Sequence, residues 1–255
     1  MLAIILMVAM VSCKKDSASD NNGGNGGGNG GGGTNGHEYV DLGLPSGTMW
    51  ATCNIGANTP QDEGDLFAWG ETETKNEFIK DNYKYYVSMV SETAWIQSNS
   101  SGYSFYHDYQ RPCYSKYDDD YVNSPVAPVL DSSDDAAIVN WGNGWRIPTD
   151  DEWRELFSNC YLTPLITGAG TFKGIVFTSI INNNTMFLPS SDYWTNNLGD
   201  MVESVYLAGE YFYYQSGWEP ISWYINSNTT TIINNNLLPG HRIRRYEGVS
   251  IRPVR

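Results

Sequence analysis

The chain has 255 residues, 29 of them acidic and 15 basic, which gives a formal net charge of −14 and a pI near 4.4. Nucleic acids and anionic membrane surfaces recruit basic patches, so this balance excludes both as expected partners of the folded surface. Four cysteines, three histidines and no Cys-x-x-Cys pair leave no zinc knuckle and no dense disulfide framework.

Residues 1–12 are apolar up to Ser12, too short to span a bilayer, and run into Met10-Val11-Ser12-Cys13. This reads as the apolar part of a signal peptide followed by a lipidation site. A small residue precedes a cysteine whose thiol takes diacylglycerol, so Cys13 is the expected membrane anchor. No Lys or Arg precedes the run, a departure from the usual positively charged start. Residues 13–36 are a short polar stretch followed almost wholly by Gly and Asn. Such a segment buries no apolar surface to offset the entropy of ordering, and is expected to be a flexible tether in coil form. Neither this run nor Gly168–Gly174 carries the Gly-Lys-Ser/Thr ending of a phosphate-binding loop.

Residues 37–255 have no second low-complexity break and are read as one domain. Short β-type runs separated by turn residues dominate it. Hairpins are expected where "EYVDLG" and "TMWATCNIG" flank Leu-Pro-Ser-Gly, where "FKGIVFTSII" and "TMFLP" flank Asn182-Asn183-Asn184, and where "SVYL" and "EYFYY" flank Ala-Gly. The terminal "GVSIRPVR" alternates as a strand with one buried face, its proline suited to an edge or a strand end. Two helices carry clear signals. "SSDDAAIVNWG" has Ser132 or Ser133 as N-cap, acids in its first turn, Ala137 and Trp141 one turn apart, and Gly142 as its stop. The second opens at Thr149, where Thr149 and Glu152 form a capping box and Asp150 and Asp151 face the positive end of the dipole. Trp153, Leu156, Phe157 and Cys160 then make one apolar stripe. The carboxylates of "WGNGWRIPTDDEW" are thus what a helix start requires, and the stretch reads as scaffold. Arg146, set between tryptophans, is expected to stack or pair with an acid rather than contact a ligand.

The blocks "EYVDLGLPSGTMWATCNIGANTPQDEGDLFAWGET", "DSSDDAAIVNWGNGWRIPTDDEW", "DYWTN" and "GVSIRPV" resemble those of the Fibrobacter succinogenes major paralogous domain, in family order over about residues 37–255. That family occurs in secreted proteins and lipoproteins of Bacteroides-like bacteria, so the resemblance implies a lipid-anchored protein of the outer membrane or cell surface. It also implies an α+β fold similar to formylglycine-generating-enzyme and C-type-lectin-like domains, with antiparallel strands, two short helices, long loops, and the two ends of the domain meeting in one sheet. The enzymes of that superfamily use a late pair of cysteines, and none follows Cys160 here, so their catalytic apparatus is not carried over. Cys53 and Cys160 lie in blocks that the resemblance places in the core, and an exported location permits oxidation; a Cys53–Cys160 disulfide is expected, with two buried thiols as the alternative.

No nucleophile elbow or metalloprotease motif is present, and His107 and His241 have no partner that the sequence identifies. The domain is therefore expected to be non-enzymatic and to need no cofactor. Asp118-Asp119-Asp120 and Asp134-Asp135 fit no calcium-loop pattern and read as solvated acids or helix starts, although calcium at Asp118–Asp120 stays open. Glu219-Pro220-Ile221 lacks the amide that calcium-dependent sugar binding would need. The remaining functional signal is the aromatic run at residues 210–224, followed by an Asn-rich stretch. Its flat apolar faces and amides suit sugar rings, which makes Tyr213, Trp218, Trp223 and Tyr224 the candidate ligand-binding residues. The bland reading is that alternate residues of this hairpin face the core. The expected ligand is a glycan; a protein-interaction, adhesion or surface-structural role without a small ligand is the alternative.

Overall fold

The computed structural model describes residues 31–34, 36–97, 104–117, 129–142, 144–166, 172–190, 205–214, 217–224 and 244–255. For 31–34, 90–97, 104–111, 172, 205–214 and 217–224 it is the backbone that is described. In chain order the elements begin with β1 (Gly31–Thr34), β2 (His37–Val40), β3 (Trp50–Ala51), β4 (Leu66–Phe67), a 3-10 turn (Lys80–Asn82), β5 (Tyr86–Gln97) and β6 (Ser104–Tyr114). There follow α1 (Ala136–Trp141), α2 (Asp150–Ser158), β7 (Cys160–Ile166), β8 (Phe172–Ser179), β9 (Thr185–Pro189), β10 (Val205–Tyr214), β11 (Gly217–Tyr224) and β12 (Val249–Ser250). The strands form four small sheets, β1-β2-β3, β11-β10-β12-β4, β5-β6 and β7-β8-β9, antiparallel except where β10 runs parallel to β12. The fold is α+β. No helix among the described residues is long and apolar enough to cross a membrane.

The domain's start and end are joined by backbone. Met49 and Arg255 exchange N–H to O bonds of 3.1 and 3.0 Å, Ala51 N donates to Pro253 O at 2.9 Å, and Ile55 N donates to Ile251 O at 3.1 Å. Arg146 and Val254 exchange a second reciprocal pair, both 2.9 Å, which stitches the approach to α2 onto the same terminal segment. The expected hairpin of β2 and β3 forms, with Tyr39 opposite Ala51 and Val40 opposite Trp50. So does that of β8 and β9, with Thr178 opposite Thr185.

Four expectations are corrected. Gly31–Thr34, placed in the coil tether, instead pairs along β2, Gly31 opposite Val40 and Thr34 opposite His37. The outer edge of β2 offers unpaired peptide groups, and a glycine backbone lies against them without steric cost. Ala208-Gly209 is not a hairpin turn: β10 runs through it, with a register shift between Leu207 and Tyr211, and pairs with β11. The terminal strand is not half-exposed. β12 lies between β10 and β4, so Ser250 and Arg252 are as fully buried as Val249 and Ile251. Lastly, Cys160 is a free buried thiol, so the Cys53–Cys160 disulfide is not made. Cys160 packs with Trp153, Leu156 and Phe157, and burial pushes its thiol up to about 12. Cys53 is bonded to neither Cys113 nor Cys160, both of which are free thiols. The β5–β6 hairpin is an element the sequence reading did not mark.

Both helices start as polar sequence logic requires, although one cap moves. Asp135, rather than Ser132 or Ser133, caps α1, accepting from Ala137 N at 2.8 Å and Ile138 N at 3.1 Å. Gly142 ends that helix at φ 88°, a conformation that suits glycine. Thr149 caps α2, and Glu152 returns a bond to Thr149 N at 2.9 Å, which completes the capping box. Arg146 pairs with Glu152, Nη1 donating to Oε2 at 2.6 Å and Nη2 to Oε1 at 2.5 Å. The guanidinium therefore has the structural role expected of it.

The tryptophans of the Trp141–Trp153 stretch are divided between two clusters. Trp153 lies edge-on to Trp50 at 4.7 Å and shares a cluster with Leu156, Phe157 and Phe177. Trp141 and Trp145 join Trp69, Phe67 and Ile251 in the other. In a domain with so little regular structure these rings, about 150–250 Å² each, supply a large share of the buried apolar surface. Trp153→Ala is expected to cost about 3–5 kcal/mol by opening a cavity, and Thr149→Ala about 1 kcal/mol by losing the cap. Denaturant unfolding of the two variants checks both values.

Candidate functional site

The described residues hold a polar cleft whose walls carry hydrogen-bonding groups with no partner among those residues. It has a volume of about 390 Å³ and is lined by Glu71, Thr72, Glu73, Thr74, Lys75, Asn82 and Lys84. These residues belong to the loop between β4 and β5. Gly70, at φ 77°, turns the chain after buried Trp69, and Glu71 N closes the turn onto Ala68 O at 3.0 Å. Within the loop, Phe78 and Tyr83 are buried in a cluster with Tyr85, Tyr114 and Tyr246, which anchors it. Tyr83 OH donates to Trp69 O at 2.7 Å.

A single carboxylate closes the loop. Glu71 Oε1 accepts from Lys84 N at 2.7 Å, and its Oε2 pairs with Lys75 Nζ at 2.6 Å. Lys75 also donates to Asn82 O at 3.2 Å, and Asn82 Nδ2 donates to Glu77 O at 2.8 Å. Asn140, on α1, donates to Thr72 O at 3.0 Å and ties the near wall to the helix. Among the described residues, the Thr72 and Thr74 side chains and the Glu73 carboxylate make no hydrogen bond or ion pair.

Behind Lys84 lies a charge cluster centred on the buried Asp134. Lys84 Nζ is 3.0 Å from Oδ1, Tyr117 OH donates to Oδ2 at 2.7 Å, and Lys116 Nζ also pairs with Oδ2. Lys116 pairs with Asp131 as well, at 2.6 Å. Burial alone would raise the Asp134 carboxyl, but the neighbouring Lys116, Tyr85, Tyr117 and Lys84 hold it well below the usual carboxylate range. Burial and the neighbouring Asp134 push Tyr85 up to about 12. One layer deeper, fully buried Arg245 sits 4.2 Å from the Tyr114 ring centroid and 5.8 Å from that of Trp69. It donates to Tyr117 O at 2.7 Å and Lys116 O at 3.3 Å, so it holds the segment after β6 that carries these two Asp134 partners.

The residues nominated from sequence are placed elsewhere. Tyr213, Trp218, Trp223 and Tyr224 lie on the β10–β11 hairpin, where Tyr213 is opposite Trp218, Tyr206 opposite Trp223, and Val205 opposite Tyr224. Trp218 and Tyr224 are an even number of residues apart on β11, whereas Trp223 is at an odd offset, so the three do not occupy one alternating set. Cys13, His241 and Asp118–Asp120 lie outside the described residues, and His107 is opposite Ala94 in the β5–β6 ladder. Among the described residues no group of three or more His, Cys, Asp or Glu is placed to hold a metal ion. Glu71, Lys84, Lys116 and Asp134 were not singled out from sequence as site residues, Asp134 having been read only as a helix start. The i,i+4 spacing of Glu71 and Lys75 was the one local sign available. The chain matches no protein-family model, no curated protein and no solved structure.

Because the Asp134 carboxyl is depressed in the folded state, its stabilising effect is complete above the ordinary carboxylate pKa of about 4 and is lost as pH falls below it. Asp134→Asn is therefore expected to be less stable than the parent at neutral pH, and to lose less further stability between about pH 4 and pH 2. Urea unfolding at stepped pH checks both the offset and the slope.

Proposed function

We propose that the chain is a lipid-anchored surface protein that displays a non-enzymatic, lectin-like binding domain, with a glycan as ligand. The observation that supports this reading is the cleft of loop 71–84, a pre-formed concavity with free hydroxyls beside paired charges. Its charged groups are tied to one another, an arrangement suited to holding a ligand by hydrogen bonds rather than to moving protons. Similarity to the C-type-lectin-like and formylglycine-generating-enzyme-like fold belongs to the same proposal. It is supported by the meeting of the domain's two ends and by the capped helix after Arg146-Ile147-Pro148.

A second reading, a protein-interaction or surface-structural role, is favoured by the outer strand of the β7-β8-β9 sheet. There Tyr161 is 69% exposed, and Leu165 and Ile166 are exposed with it. Pro164, in the middle of β7, has no N–H to offer an added strand, so a protein partner would meet these side chains rather than extend the sheet.

On an array of neutral, uronate and sulfated oligosaccharides, the full chain is expected to bind at least one class. Binding to none would overturn the glycan reading in favour of the second. Anchoring makes its own prediction: protein extracted from membranes should begin at Cys13 and carry the mass of a diacylglyceryl group. A thiol so modified cannot also bond Cys53, so recovery of a Cys13–Cys53 disulfide peptide would overturn the anchor.

A further inference from the structure

The cleft's chemistry narrows the class of sugar it can take. Two carboxylates, Glu71 and Glu73, face two ammonium groups, Lys75 and Lys84, so the lining carries no net charge. The positive charge is already committed, Lys75 to Glu71 and Lys84 to Asp134. An acidic ligand would have to compete with those carboxylates for the lysines while approaching the unpaired Glu73, which repels it. A cationic ligand finds one exposed carboxylate, which water and salt screen.

The groups left over are of a different kind. The Thr72 and Thr74 hydroxyls each donate once and accept twice, the Glu73 carboxylate accepts, and the two ammonium groups hold three donors apiece, not all of them engaged. Adjacent sugar hydroxyls, which donate and accept at close spacing, match that set. The Glu71 bonds to Lys75 and to Lys84 N hold the wall in place, so little ordering cost falls on binding. A volume of about 390 Å³ lies within the range of small-ligand sites.

We propose that the cleft of loop 71–84 is a binding site for a neutral, polyhydroxylated sugar unit, with Thr72, Thr74 and Glu73 as the residues that read it. The proposal rests on the glycan-binding reading and adds the site and the charge class.

The test uses the full chain on an array of neutral oligosaccharides printed beside oligogalacturonates and sulfated glycans, with titration of whatever binds. Neutral glycans should bind, and acidic ones at least about tenfold more weakly. Thr72→Val and Thr74→Val, which keep shape and remove only the hydroxyl, should each weaken neutral binding by about fivefold, with no change in unfolding midpoint. Both positions are at least partly exposed, so the fold tolerates the change. Acidic glycans bound as tightly as neutral ones would overturn the charge class and leave the glycan reading standing. Neutral binding indifferent to both variants would overturn the site. Binding to no glycan would overturn the proposal together with the reading beneath it.

Discussion

One carboxylate, that of Glu152, joins the approach to α2 and the first turn of that helix to the β2–β3 loop, about a hundred residues earlier in the chain. Its two oxygens take Arg146 in a two-point pair, the Thr149 backbone N–H and hydroxyl at the start of α2, and Thr48 Oγ1 from the β2–β3 loop at 2.8 Å. Burial would raise this acid, but Arg146, the Thr149 N–H and Thr48 keep it below its ordinary value, so it stays ionised with every lone pair in use. A charge so placed is favourable only if all its partners arrive together. The requirement fixes where α2 begins and how the β2–β3 loop lies on it. Ser46, bonded through its N–H and hydroxyl to Glu155 one turn later, holds the same loop to the same helix. Arg146 then carries the constraint to the C-terminus, since its peptide group is paired both ways with Val254.

With start, middle and end pinned in this way, the long connections between them need not contribute to the central packing. They can be shaped for their own surfaces. Loop 71–84 repeats the device on a smaller scale, with Glu71 closing it as Glu152 closes the domain. The difference lies in what remains unsatisfied. Around Glu152 the polar groups are consumed, whereas the cleft keeps the Thr72, Glu73 and Thr74 side chains without partners among the described residues. A polar group at a concave surface costs nothing while water solvates it, and so stays available for exchange with a ligand.

What could be read from sequence follows the range of the interactions. The start of α2 and the end of α1 were accessible because caps act within three or four residues: Thr149 with Glu152, and Gly142 after Trp141, lie where local chemistry puts them, whereas the cap of α1 moved from Ser132 or Ser133 to Asp135. The Asn182–Asn184 turn was accessible for the same reason. The β5–β6 ladder was hidden because its members are polar and mixed, with no period-two apolar signal, and its stability comes from pairing residues such as Val90 with Arg111. The burial of Arg252 and Arg245 was hidden as well, because a buried guanidinium depends on acceptors such as Asn54 and the carbonyls of Ala51, Lys116 and Tyr117, most of them far along the chain. The cysteine pairing failed on geometry that no spacing encodes, Cys160 being packed among the side chains of α2.

The neighbours Asp134 and Asp135 show why a doublet of like residues need not share a role. In sequence both are acids at a helix start. In the fold the chain turns between them, so that Asp135 points its carboxylate at Ala137, Ile138 and Ile147 N–H groups, while Asp134 points outward at two lysines and a tyrosine. Their proton affinities then separate. Burial raises Asp135, because three peptide dipoles and the more distant Arg146 only partly offset the loss of water. Asp134 falls, because two full positive charges overrule the same loss. A peptide dipole is a smaller field than an ammonium ion, so the acid that caps the helix is the less firmly ionised of the pair. Capping and charge pairing are thus separable within one dipeptide. The loop-facing member couples the cleft lysine Lys84 to Lys116 and Tyr117, just past β6, and through Arg245 to the terminal segment that closes the fold.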